Sequence, residues 1–285
     1  MNIKIVTLEP ALYLVATPIG NLRDITLRAL ETLESADLIL CEDTRVSGKL
    51  LKAHGIKTPM QPYHDHSDKT QRKKIIQMLV DRKAIALISD AGTPMVSDPG
   101  YKLVRDALDL GLRVIPVPGA NAPMAALQLS GLPSDCFSFL GFLPNKVKAR
   151  KDVFHSWKSV HTTLIFFERA SRLQASLSDL LDVMGDRPVA VVREITKMYE
   201  ESRRSPVSTM IKFYEHNGPP KGEIVVVVGP PEVSGMSDDD ILRELTVLLK
   251  TESLKDASKI MAERSGKAKK EIYDMGLTIM NRNGS

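Results

Sequence analysis

The sequence predicts an α/β protein with a helical C-terminal appendage. Short apolar runs rich in β-branched residues alternate with longer stretches of helical period, and glycine-bearing loops follow three of the runs in the first half. The first strands are expected at residues 12–16, 38–41, 84–89 and 113–117. Helices are expected between and beyond them, near 25–35, 45–54, 69–82 and 98–110. In the last of these Leu103, Val104, Ala107 and Leu108 recur at the spacing of one buried stripe, while Lys102, Arg105 and Asp106 face away.

A stretch rich in proline and glycine between Val117 and Pro133 interrupts the pattern, which resumes with strands expected at 137–140, 163–167, 189–193 and 223–228. Pro219-Pro220 and Pro230-Pro231 bracket the last run, since proline is excluded from central ladders. Beyond it, Ser237-Asp238-Asp239-Asp240 reads as a helix N-cap with acidic charge in the first turn, and three helical segments follow. Arg264-Ser265-Gly266-Lys267 fits the turn of a helix-turn-helix. The expected domains are 1–132 and 133–232, both α/β, and 233–285, helical.

With 285 residues, 43% of them hydrophobic, the chain can bury a substantial core. No apolar run approaches the ~20 residues that span a bilayer, and Cys41 and Cys136 are too few for a disulfide framework, so a cytoplasmic location is expected. The formal charge of +4 decides nothing by itself, but lysine and arginine gather at 69–74, 146–151, 203–204 and 267–270. One such cluster is commonly a solvated face, whereas four together suit an RNA-sized footprint.

The chemistry is expected in the loops Thr17-Pro18-Ile19-Gly20-Asn21, Ser89-Asp90-Ala91-Gly92-Thr93-Pro94 and Pro118-Gly119-Ala120-Asn121, at strand ends where open α/β sheets bind ligands. Glycine permits close backbone approach, proline stiffens the loop, and the following helix N-terminus offers free amides. No two glycines are spaced as G-x-G and no P-loop occurs, so neither NAD nor ATP is indicated. His64-Asp65-His66 is the nearest approach to a metal motif, and a lone pair of this kind is weak grounds for one.

Longer strings carry a resemblance. Ala16-Thr17-Pro18-Ile19-Gly20-Asn21-Leu22, Glu42-Asp43-Thr44-Arg45, His64-Asp65-His66, the segment from Ser89 to Pro94 with Asp98-Pro99-Gly100, Gly141-Phe142-Leu143-Pro144, and Arg193-Glu194-Ile195-Thr196-Lys197 occur in order. Across nearly the whole chain they resemble the ribosomal RNA small-subunit methyltransferase I family of the tetrapyrrole methylase superfamily. The resemblance implies two α/β domains flanking a cleft for S-adenosylmethionine, a homodimer, and methyl transfer to the 2′-oxygen of a cytidine in the decoding region of 16S ribosomal RNA.

By position, the resemblance implies that Pro18 and Gly20 floor the cleft, that Asp90, Gly92 and Thr93 meet the methionine part, and that Pro118, Gly119, Ala120 and Ala122 supply backbone contacts. Phe142, Phe167, Glu194 and Thr196 are expected on the adenosine side. A ribose hydroxyl is a poor nucleophile and calls for a base or a stabilising cation nearby; Asp43, His64, Glu194 and Lys197 are the candidates. RNA is expected at Arg45 and His64 near the cleft mouth and at Lys267, Lys269 and Lys270 further out. Two rivals stay open: a methyltransferase of this fold acting on a tetrapyrrole or a protein residue, and a non-catalytic ribosome-assembly factor.

Overall fold

Five runs, β1 (Ala11–Val15), β2 (Leu38–Cys41), β3 (Met60–Pro62), β4 (Ala84–Leu87) and β5 (Val114–Val117), form a parallel sheet in the order β3-β2-β4-β1-β5. The structure is a computed structural model that describes residues 5–64, 69–231 and 238–283. It comprises two compact units, Met1–Pro230 and Pro231–Ser285.

The central strands read as continuous apolar runs because helices cover both faces. Successive side chains point to opposite faces. Tyr13, Val15 and Ile39 meet Leu30 and Leu33 of α1 (Leu27–Ser35) and Leu51 of α2 (Thr44–His54). Leu12, Leu40 and Leu87 meet Ile75 and Leu79 of α3 (Lys69–Val80) and Leu103 and Ala107 of α4 (Tyr101–Asp109).

α5 (Ala122–Ser130) leads into a second sheet of β6 (Phe137–Phe142), β7 (Thr163–Arg169), β8 (Pro188–Arg193), β9 (Glu201–Pro206) and β10 (Glu223–Val228), ordered β6-β7-β10-β8-β9. Only the β6–β7 pairing is parallel. Ala126 and Leu127 of α5 cover one face through Ile165, Val192, Val225 and Val227. The other face packs on α6 (Val147–Trp157), α7 (Leu173–Met184) and α8 (Val207–Asn217) through Phe154, Leu177, Leu180 and Met210.

In the second unit α9 (Asp238–Leu248), α10 (Leu254–Ser265) and α11 (Lys269–Asn283) gather around Ile241, Leu245, Ala257, Met261 and Ile272. Ser253 caps α10 by accepting from the amide of Asp256, and left-handed Gly266 (φ 71°) ends it in the expected turn. Asp238, Asp239 and Asp240 fill the first turn of α9, as expected, whereas Ser237 lies outside the described residues.

Three elements depart from the sequence expectation. β3 has three residues and ends in proline, too short for a period to show. β9, Glu-Ser-Arg-Arg-Ser-Pro, is a polar edge strand, where charge and proline discourage further pairing. α5 lies inside the proline-glycine stretch, because Pro123 falls in a first turn where its missing N–H costs nothing and Asn121 caps the helix.

Arg150 also departs: it is buried, not part of a charged exterior, and donates to Asp179 from Nε (2.8 Å) and Nη2 (2.5 Å), tying α6 to α7.

Candidate active site

The three glycine-bearing loops of the first sheet are stitched to one another. Thr17 and Gly92 exchange backbone hydrogen bonds (2.8 and 3.0 Å), joining the first loop to the second. Thr93 Oγ1 donates to the Ala120 carbonyl (3.2 Å) and accepts from Asn121 Nδ2 (3.1 Å), joining the second to the third. Gly92 is left-handed (φ 83°), and a Cβ there would press on Ile19 at 3.3 Å, so glycine is the residue this crossing accepts.

Between these loops and the second sheet lies a cavity of about 410 Å³. Asp90, Gly92, Thr93 and Ala122 line it from the first half, and Phe142 and Phe167 from the second. The two rings stand 5.1 Å apart, and Phe167 also meets Phe139 edge-on at 5.1 Å. These six were expected at a ligand from the sequence. Pro18, Gly20, Pro118, Gly119, Ala120, Glu194 and Thr196, also expected at the ligand, are not among the lining residues. Gly119 serves packing, since a Cβ there would lie 3.0 Å from that of Ala16.

Gly20 meets a polar knot from the second half. Lys197 Nζ donates to Glu194 Oε1 (3.0 Å) and Glu223 Oε2 (2.9 Å), and the Glu223 amide donates to Glu194 Oε1 (3.0 Å). A Cβ on Gly20 would fall 2.6 Å from Lys197 Cγ, so the two halves touch where a side chain would hold them apart. Glu194 (φ 49°) and Thr196 (φ 66°) hold left-handed conformations that non-glycine residues seldom adopt, a strain that clusters at functional sites. Among the described residues Thr196 Oγ1 is buried without a hydrogen-bond partner.

The four candidates for proton transfer are not brought to one point. Asp43 caps α2 and is clasped by Arg45, whose Nη2 donates at 2.6 Å; that side-chain bond and the Arg45 amide hold its pKa down at about 2. Glu194 is held below its ordinary value, first by the Glu223 amide and then, against some desolvation, by Lys197. Burial works against the charge on Lys197, but hydrogen bonds to Glu223 and Glu194 outweigh it and raise its pKa. His64 is exposed just past β3, near enough to Glu42 to act on its charge. Asp65 and His66 lie outside the described residues.

Two carboxylates that sequence reasoning passed over behave oppositely. Asp98 lines the cavity, and burial followed by the charge of Glu42 raises its pKa to about 6. Glu42, just after β2, is raised by burial and by Asp90. The signal was present in Asp98-Pro99-Gly100, but the sequence does not reveal that this loop folds back on the ends of β2 and β4. Asp90 is positioned by the Asp43 amide, which donates to its Oδ1 at 3.0 Å.

Arg45 projects into solvent while paired with Asp43. In the C-terminal unit Lys267 is held by Asp238 (2.7 Å) and Glu271 (2.6 Å), leaving Lys269 and Lys270 as the exposed cations at the start of α11. Among the described residues no group of three or more His, Cys, Asp or Glu is arranged to hold a metal ion, and no helix is long and apolar enough to cross a membrane.

Known proteins resemble this chain in sequence and in fold. Residues 11–211 match the family described as Tetrapyrrole (Corrin/Porphyrin) Methylases, and residues 235–279 match the RsmI C-terminal HTH domain. Among solved structures, diphthine synthase superposes with a TM-score of 0.59 at 16% identity, covering 77% of this chain and 90% of its own. A uroporphyrin-III-C-methyltransferase from Thermus thermophilus superposes with a TM-score of 0.55 at 21% identity, covering 77% and 94%; both likenesses are of fold. The protein named Ribosomal RNA small subunit methyltransferase I in Mesorhizobium japonicum is 49% identical over 97% of this chain and 95% of its own length. Its namesake in Escherichia coli O157:H7 is 42% identical over 93% and 94%. The chain thus belongs to the tetrapyrrole methylase family and, within it, to the ribosomal RNA small subunit methyltransferase I family.

Proposed function

We propose that this chain transfers a methyl group from S-adenosylmethionine to the 2′-oxygen of a cytidine ribose in the decoding region of 16S ribosomal RNA. The observation that carries the reading is the cavity between the stitched glycine loops and the Phe142–Phe167 wall. Its volume falls within the roughly 300–1,000 Å³ of sites for small molecules and cofactors. An aromatic wall suits adenine, and Asp90 and Asp98 suit a donor that carries positive charge. When bound, the donor supplies an electrophilic methyl group. A solved uroporphyrin-III C-methyltransferase of this fold is complexed with S-adenosylhomocysteine, and the relatives' names point to small-subunit ribosomal RNA.

The chain's own part is to hold the acceptor oxygen in line and exclude water. Lys269 and Lys270, exposed in the C-terminal unit, grip phosphate, and Arg45 and His64 of the first unit also contact the RNA. Residues 1–132 and 133–232 act as the two walls, residues 233–285 as the RNA-contacting domain, and the working form is a cytoplasmic homodimer.

Labelled S-adenosylmethionine offered with small ribosomal subunits, free ribosomal RNA and uroporphyrinogen III tests the reading. Label should enter RNA, at a ribose located by mass spectrometry. Label entering only the porphyrinogen overturns it, and a chain with no affinity for the donor is a binding factor instead.

A further inference from the structure

We propose that Asp98 accepts the proton that the acceptor hydroxyl loses during methyl transfer. The proposal rests on the reading of the chain as a methyltransferase for a ribose hydroxyl, and it assigns that site a base.

Geometry comes first. Asp98 lies on the cavity wall, in a loop that reaches it through left-handed Met95 (φ 70°) and Ser97 (φ 68°). Two non-glycine residues in that region within three positions are strained and persist where the surroundings impose them. The surroundings are visible: Ser97 Oγ lies against Gly141 of β6, where a Cβ would come within 3.2 Å, and a Cβ on Gly100 would lie 2.7 Å from Leu87 of β4. The loop is pinned to both halves, with Asp98 between its pins.

Chemistry follows. The charged groups around Asp98 on its own side are Glu42, at the end of β2, and Asp90, in the loop after β4, with Ser89 Oγ as its hydrogen-bonding neighbour. Across the cavity stand Glu168, Glu223 and Arg169. Glu168 is engaged by Arg172, Ser176 and the Arg169 amide, and Glu223 by Lys197. Among the described residues Asp98 forms no ion pair, in contrast to Asp43 and Glu194. A carboxylate in the company of carboxylates, with no cation to satisfy it, is a stronger base than one held in a salt bridge.

The step balances. The carbon–sulfur bond breaks with its electron pair left on sulfur, the acceptor oxygen forms the new bond to carbon, and the hydroxyl proton passes to Asp98, which ends as the neutral acid. Asp98 faces a positive charge before transfer and a neutral thioether after it, so its proton affinity rises in the step that frees a proton.

The test uses the full-length protein. Single-turnover methylation of small ribosomal subunits by Asp98→Asn, at donor concentrations that calorimetry shows to be saturating for the variant, should show a rate loss of about 10²–10⁴-fold beyond any loss of donor affinity. Wild-type kcat/KM should fall on the acid side of about pH 6, and that limb should vanish in the variant. Glu42→Gln removes one of the charges acting on Asp98 and should move the limb to lower pH in an otherwise active enzyme. Carbon-13 NMR of the donor-free protein should show one carboxyl titrating near 6 that is absent from Asp98→Asn.

An active Asp98→Asn enzyme, a limb indifferent to Glu42→Gln, or no carboxyl titrating above 5 would each overturn the proposal. A wild-type chain that methylates no RNA at any pH removes the methyltransferase reading and the proposal with it. An active wild type with an equally active Asp98→Asn removes the proposal alone.

Discussion

Replacing Asp98 by asparagine should stabilise the fold at neutral pH. In the folded chain the carboxyl holds its proton up to about pH 6, against an ordinary value of 3.8. The folded state therefore binds the proton more tightly than the unfolded chain, and stability falls as pH rises from about 4 to about 6. Two pH units at about 1.4 kcal/mol each set a ceiling near 3 kcal/mol. Because the carboxyl is only half-buried, solvent screening reduces this to about 1–1.5 kcal/mol.

The amide keeps the shape and removes the charge, so at pH 7.5 urea denaturation should show Asp98→Asn more stable by about that amount, or ~2–5 °C in thermal midpoint. Below pH 4 both chains carry a neutral group at this position and the gap should close. A variant less stable than wild type at pH 7.5, or a gain that persists unchanged at pH 4, would show that Asp98 is a satisfied structural carboxylate.

Gly222 is left-handed (φ 93°), and a Cβ there would lie 2.6 Å from Glu194 Cγ; Gly222→Ala should cost upwards of about 1–2 kcal/mol by denaturation and loosen the Lys197 knot. Gly20→Ala should lower donor affinity at least about tenfold by calorimetry, the equivalent of about 1.4 kcal/mol, because the new methyl displaces Lys197 and parts the two halves. Arg150→Met leaves buried Asp179 with only Lys151 Nζ at 3.7 Å and should destabilise by about 3 kcal/mol, the low end for a broken buried pair, most of it recovered when Asp179→Leu is added. Replacing both Lys269 and Lys270 by alanine should flatten the plot of log affinity for RNA against log salt by about 1.4–1.8, with donor binding unchanged.

The sequence foreshadowed the parts of this molecule that depend on local pattern. The buried runs of β1, β2 and β4 were legible because their periods repeat, as was the stripe of α4 through Leu103, Val104 and Ala107, although Leu108, expected in that stripe, is exposed at the helix's outer edge; the three glycine loops were legible because strand ends bind ligands. β9 was read only as a basic cluster, since Arg203 and Arg204 hide an edge strand's alternation. Arg203 packs over the Phe213 ring at 3.7 Å and Arg204 donates to the Gly131 carbonyl, engagements that no local pattern announces. Charge tuning was the least legible: Asp43 and Glu194 stood out by motif and meet Arg45 and Lys197 close by in sequence, whereas the approach of Asp98 to Glu42 is decided by a chain crossing tens of residues apart.

The bonds joining Thr17 to Gly92 and Thr93 to Ala120 have a thermodynamic meaning. A receptacle whose rim is already laced together gives up little freedom when a guest arrives, so most of the attraction it offers is retained as affinity. Adjustment on docking then falls to the facing aromatic wall, where Phe142 is more than half exposed and has room to move.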